Sequence, residues 1–406
     1  MAALAEDDAP PIAPALAAES VRSEVGHIAP MDGVRGIAVL WVVLFHVVAL
    51  RGTLDDPWVR FLGAFDPLRS IAGAGYLGVD LFFLISGFLL TLPWFVHAAK
   101  GAPPPSARKF YARRLRRIAP AYYVQLVALF VIVLPLLKGS AYWRSDLYVY
   151  IWNLFAHAAF LHNTTPLTSG SMEVNGALWT LAVEAQYYAL LPLAALAFVR
   201  APLTALAVSV AVAVLWQLGT RYDLDALVAA QLALGEHWHW TEPVVRKLLQ
   251  AQLPSYLAHF ALGIVLGRAW LSWRARVNSA AQRAMLHVAL AVSLAALYWF
   301  VAVDGRVLGD YSWLVPAISL AAFLFWAAAS EGSIARDVLG RGPLAFTGRV
   351  SYSMYLYHVP LLLLWNAYAG FIPRWISLPL YLAALFALSW LSWRGVEQPF
   401  LRRRRA

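Results

Sequence analysis

The sequence predicts an all-α, polytopic transmembrane helix bundle of about ten spans with both termini cytoplasmic, and three observations carry that prediction. Of 406 residues, 61% are hydrophobic and only 13% charged, far from the balance of a soluble globular domain. The apolar residues gather in runs of about 20, the length that crosses a hydrocarbon core. The basic residues gather in acid-free clusters: seven between Lys100 and Arg117, four from Arg268 to Arg283, and four from Arg402 to Arg405. Such clusters beside spans mark cytoplasmic loops. The net charge of +10 therefore reads as topology and as attraction for anionic headgroups or an anionic substrate, not as a nucleic-acid surface. The absence of cysteine excludes disulfides, a thiolate nucleophile and a thiolate metal site.

Residues 1–29 are rich in Ala and Pro and carry Glu6, Asp7 and Asp8, which predicts a disordered cytoplasmic tail. The transmembrane domain is expected over 30–400, and 401–406 form a basic cytoplasmic tail. Spans are expected near 32–50, 76–98, 119–137, 177–198, 202–219, 253–270, 284–303, 311–330, 351–369 and 376–394. The segment 146–162 is short and interrupted by Asn153, His157 and His162. Crossing there would carry the second and third basic clusters outside, so it reads as re-entrant or interfacial. The loops 51–75, 138–176, 220–250, 304–310 and 370–375 then face outward.

In the first span, Arg35 and His46 stand eleven residues apart. At about 100° per residue they fall within about 20° on one face, roughly 16 Å apart along the axis. Ionisable groups at membrane depth tend to face a cavity, which makes the pair a candidate site. The structural reading, an arginine that snorkels and a histidine that satisfies a carbonyl, is equally open on spacing alone. In the second span, Ser86 beside Gly87 suits close helix packing and shapes a cavity, since no Gly-x-Ser-x-Gly elbow surrounds it. Asp80 lies near the outer interface, where water solvates it.

The basic stretch KGAPPPSARKFYARRLRRIAPAYY places Arg114 and Arg117 three apart on one helix face, a pairing that suits phosphate. A headgroup-hugging topology signal is the plainer reading of a basic loop. The fourth span buries Glu184 among Gln186, Tyr187 and Tyr188; a carboxylate there is protonated or paired, and it is a candidate partner for His46. Ser351, Tyr355 and His358 form one polar stripe near the end, and Glu397 sits among basic neighbours that offer a cytoplasmic ion pair. His237 and His239 lack a third ligand at metal spacing, so no metal site is expected.

The order of these motifs resembles the acyltransferase-3 family of integral membrane O-acyltransferases. The matching pieces are DGVRGIAVLWVVLFH, GVDLFFLISGFLL, FYARRLRRIAP, LWTLAVEAQYYALLP, SYSMYLYH and VEQP. Thr180 stands where the family often has serine, and the hydroxyl is kept. The resemblance implies transfer of an acyl group, commonly acetyl, from cytoplasmic acyl-CoA to a hydroxyl on a carbohydrate or other surface or secreted acceptor. It implies a multi-pass protein of the inner (plasma) membrane that meets membrane lipid, holds no permanent cofactor and takes acetyl-CoA as donor substrate. Arg114 and Arg117 would bind the acyl-CoA phosphates and the pantetheine arm would follow the Arg35–His46 stripe. His46, Arg35 and Glu184 would be catalytic, and Ser86, Tyr355 and His358 would line the cavity. His46 acts either as general base, with Glu184 or another acid fixing its tautomer, or as the group that takes the acyl briefly. Unlike some relatives, the chain is expected to lack an appended extracytoplasmic esterase-like domain. A carrier of a lipid-linked sugar or small acid, with His46 and Glu184 as proton relay, is the alternative.

Overall fold

The computed structural model describes residues 26–51, 56–139, 141, 147–169, 175–234, 240–275, 279–302, 313–330 and 334–402. Residues 1–25 of the expected tail, the loop 304–310, His237, His239 and Arg403–Arg405 lie outside them. No strand occurs among the described residues, and the chain is a helical bundle. The helices that position the site are α1 (Pro30–Arg51), α2 (Leu77–Ala99), α3 (Ala107–Ala128), α4 (Leu147–Ala158), α5 (Trp179–Arg200), α6 (Pro202–Leu218), α7 (Leu253–Arg274), α8 (Ala280–Ala302), α9 (Leu314–Ala329), α10 (Gly342–Tyr368) and α11 (Arg374–Ser392).

Among the described residues, eight helices are long and apolar enough to cross a membrane, and they fall on eight of the ten expected spans. The other two expectations fall on α9, with 16 residues, and α10, with 27. α10 is long enough to cross but carries Ser351, Ser353, Tyr355 and His358, all buried, which lower its hydropathy because protein rather than lipid surrounds them. The chain is a multi-pass membrane protein.

The basic stretch expected to precede the third span is part of it. α3 starts at Ala107, where Ser106 Oγ accepts from the Lys109 amide at 3.4 Å, and it runs through Pro120. With the π-helical turn Leu129–Val133, the whole helix spans Ala107–Lys138, 32 residues. Helical neighbours compensate for the missing Pro120 donor. Arg114 and Arg117 thus sit on a membrane helix, aimed into the bundle end, rather than on a separate surface loop.

Backbones touch where glycine removes the side chain. A Cβ at Gly348 would collide with the Asp32 carbonyl, and one at Gly87 with the Phe260 carbonyl. Small residues at such crossings let α1 meet α10, and α2 meet α7, without a spacer. The core between them is aromatic: Phe83 and Tyr187 both pack on Phe260, the latter stacked at 3.7 Å between ring centroids.

α4 has 12 residues, about 18 Å of helix, too short for a core about 30 Å thick. The chain then turns at Phe160 with φ 57° and tucks His162 and Asn163 inside. His157 and His162 stack at 4.1 Å between centroids. Burial and the neighbouring ring push the His157 imidazole well below its ordinary value, and burial takes His162 down to about 4. Both are neutral wedges under α3, whose Tyr122 hydroxyl donates to the His157 carbonyl at 2.8 Å.

Candidate active site

A cavity of about 820 Å³, its open mouth included, lies between α1, α2, α3, α5 and α10. Arg35, Ser86, Arg114, Arg117, Glu184 and Tyr355 all line it. The first turns of α3 deliver two arginines and the N-terminal half of α1 a third. Arg35 makes no hydrogen bond to any described residue. The Arg114 guanidinium lies 5.9 Å from the Tyr188 ring centroid, and its Nε is buried without a partner. Three guanidinium groups around one mouth make it strongly cationic, and planar guanidinium forks are suited to phosphate oxygens.

Two carboxylates offset part of that charge. Glu397 is brought inside by the π-helical turn Trp393–Glu397 and is 1% exposed. Arg117 Nη1 donates to its Oε2 at 3.2 Å and the Ser353 hydroxyl to its Oε1 at 2.6 Å. Glu184 accepts from the Ser86 hydroxyl at 2.9 Å and from the Tyr188 hydroxyl at shorter range. These bonds fix the two carboxylates, and with them Arg117, and leave Arg35 and Arg114 without a carboxylate partner among the described residues.

A second, smaller cavity of about 470 Å³, its open mouth included, lies toward the opposite end of α1, lined by Phe45, His46, Tyr76, Asp80, Trp179 and Tyr256 among others. Val79 and Tyr355 belong to the walls of both cavities. The Tyr355 hydroxyl is pinned in that partition by Thr180 at 2.7 Å and the Ala177 carbonyl at 3.0 Å.

The protonation pattern at His46 follows from its partners. Its Nδ1 donates to the Val42 carbonyl at 2.9 Å, since a carbonyl only accepts. His358 Nδ1 donates in the same way to the Tyr355 carbonyl at 2.7 Å, which leaves His358 Nε2 as an acceptor facing His46 Nδ1 at 3.3 Å. The His46 proton is therefore held on Nδ1, and its Nε2 carries a free lone pair. A neutral imidazole locked in one tautomer is the form a general base needs.

Three placements differ from expectation. The group that meets the His46 ring is His358, not Glu184, which is engaged with Ser86 and Tyr188 on the larger cavity. His358 itself is 0% exposed and lines neither cavity; it stands behind His46. Helical spacing groups the residues of one face but cannot say which neighbour that face meets. Asp80, expected in solvent, has a side chain only 13% exposed, and His259 Nε2 lies 3.8 Å from its Oδ2. Sequence reading passed over His259, although a histidine inside the apolar run of α7 carries the same signal as His46.

A family model described as an acyltransferase domain matches residues 28–394. The chain is 25% identical over 388 residues to the peptidoglycan O-acetyltransferase OatA of Listeria monocytogenes, an alignment covering 92% of this chain and 56% of that protein. It is 28% identical over 397 residues to Nodulation protein 10 of Rhizobium leguminosarum, covering 93% and 95%. With the O-acetyltransferase OatA of Staphylococcus aureus the identity is 23% over 401 residues, covering 92% and 57%. The chain thus spans little more than half the length of the two OatA proteins. No solved structure matches it.

Proposed function

The chain belongs to the acyltransferase-3 family, and from that membership we propose that it moves an acetyl group from cytoplasmic acetyl-CoA to a hydroxyl of a carbohydrate on the far side of the plasma membrane. One observation carries the reading: an arginine-lined cavity and a histidine-lined cavity abut at Val79 and Tyr355. The phosphates of the donor occupy the mouth at Arg35, Arg114 and Arg117, where guanidinium forks meet them in pairs. The pantetheine arm runs along α1 toward the partition, about 16 Å from Arg35 to His46 along the axis. The acceptor enters the smaller cavity from the other end.

Transfer then needs one base. His46 Nε2 takes the proton of the acceptor hydroxyl as its oxygen attacks the thioester carbonyl. The C–O bond forms, the C–S bond breaks, and the thiolate leaves with the proton that His46 returns. His358 acts as a positioning residue by holding the His46 proton on Nδ1, and the charge of Arg35 draws the donor into line. Relatives named as O-acetyltransferases, one of them acting on peptidoglycan, support a sugar hydroxyl as acceptor.

Labelled acetyl-CoA supplied to the purified full chain in detergent tests this. We expect label to leave the thioester and to appear as an ester on an added oligosaccharide, and His46→Ala to abolish the transfer while donor binding persists. Undiminished transfer by His46→Ala would overturn the assignment.

A further inference from the structure

We propose that the smaller cavity is a subsite for a pyranose ring, in which Asp80, backed by His259, accepts hydrogen bonds from hydroxyls adjacent to the one that faces His46. The inference rests on the acyl-transfer reading for its role but not for its chemistry. Asp80 lines the cavity and accepts no hydrogen bond from any described residue. His259 Nε2 lies 3.8 Å from its Oδ2, beyond hydrogen-bond reach. His259 is 2% exposed, and both of its ring nitrogens are buried without a hydrogen-bond partner. A carboxylate left unmet at membrane depth is costly. A ligand that brings hydroxyls into the cavity meets the carboxylate that lines it, while His259 stays behind that wall.

The walls say which hydroxyl compound fits. Trp179 and Tyr256 meet at 5.4 Å between centroids with 37° between their planes, forming an aromatic corner. Phe45 and Tyr76, edge to face at 6.0 Å, close the other side. A pyranose has an apolar C–H face that packs on aromatic rings, whose faces are electron-rich, and a rim of hydroxyls that need acceptors. Asp80 offers two such acceptors on the wall shared with His46, so a ring with vicinal hydroxyls is gripped and presented at once. A single-hydroxyl alcohol or a lipid chain fills the aromatic corner but leaves the carboxylate unmet. His259 touches no acceptor. It is a positioning residue that stabilises and orients Asp80 from behind.

Saturation-transfer NMR on the purified full chain in detergent tests the subsite without requiring turnover. The probes are methyl β-N-acetylglucosaminide and cyclohexylmethanol, a ring of similar size with one hydroxyl. We expect saturable transfer to the glycoside and at least tenfold weaker transfer to cyclohexylmethanol. Asp80→Asn should weaken the glycoside at least tenfold and leave cyclohexylmethanol unmoved, a selectivity that a merely structural role would not produce. His259→Gln should weaken the glycoside several-fold, and it decides the matter if Asp80→Asn does not elute as folded protein. Equal binding of the two probes, or glycoside binding that ignores these substitutions, overturns the proposal. If the glycoside binds as expected while labelled acetyl-CoA gives no His46-dependent transfer, the acyl-transfer reading fails and the subsite stands.

Discussion

Arg117 and Glu397, 280 residues apart in sequence, form an ion pair with 3.2 Å between Nη1 and Oε2 in which the carboxylate is buried and the guanidinium edges the larger cavity. The pair gives Arg117 a structural role beside the donor-binding role proposed for it. Removing it alone strands a buried carboxylate, which costs about 2 kcal/mol after allowance for the part-exposed arginine. Arg117→Gln is therefore expected to lower the melting temperature in detergent and to raise KM for acetyl-CoA. The double variant Arg117→Gln/Glu397→Gln should regain most of the stability and none of the affinity. Thermal unfolding together with steady-state kinetics checks both halves, and recovery of KM in the double variant would show that Arg117 serves packing only.

His358 is expected to act on rate rather than on donor affinity. His358→Phe removes the acceptor that faces the His46 Nδ1 proton and frees the ring to turn. The loss is about one hydrogen bond, near 1.4 kcal/mol, or about tenfold in kcat with KM for acetyl-CoA unchanged. A parallel rise in KM would argue that the substitution disturbs the bundle instead.

The crossing at Gly87 predicts a steric effect. Gly87→Ala puts a methyl into the Phe260 carbonyl, forcing α2 and α7 apart at a cost of about 1–3 kcal/mol. Since Ser86 and Asp80 ride on α2, transfer should fall with stability. Purified Gly87→Ala that melts at the wild-type temperature would contradict the packing described.

The stacked imidazoles of His157 and His162 predict an acid-sensitive fold. Both are held down by burial, His162 to about 4 from an ordinary 6.5. As the pH falls from about 6.5 toward 4, the unfolded chain binds protons that the folded chain refuses, so stability declines across that window and is flat above about 7. For His162 alone the decline is about 3 kcal/mol. Melting temperature against pH, compared with His157→Phe/His162→Gln, checks it: the variant should show a shallower slope, and identical slopes would refute the assignment.

Much of the bundle was legible because hydropathy is a local property. Runs such as α1 and α2 announce themselves by length and composition, and the eleven-residue spacing fixes Arg35 and His46 on one stripe whatever surrounds them. α10 was legible only in part, since its buried serines, tyrosine and histidine dilute the signal that marks a lipid-facing span. Arg114 and Arg117 were legible as a pair three apart on one helix face, yet their place on a continuous membrane helix was hidden by Pro120, which in water would end a helix.

The sequence by itself determined that this is a helical membrane protein, which residues share a helical face, and, through the order of its motifs, which family it resembles. Only the tertiary structure decided that His46 is backed by His358 rather than Glu184, that Glu397 secures Arg117, and that Asp80 shares a cavity with His46 while His259 stands behind it. The reason is physical. A helical period is set by bonds within one segment, whereas a partner is set by how α1, α2, α7 and α10 cross, and that depends on backbones brought together at glycines far apart in the chain.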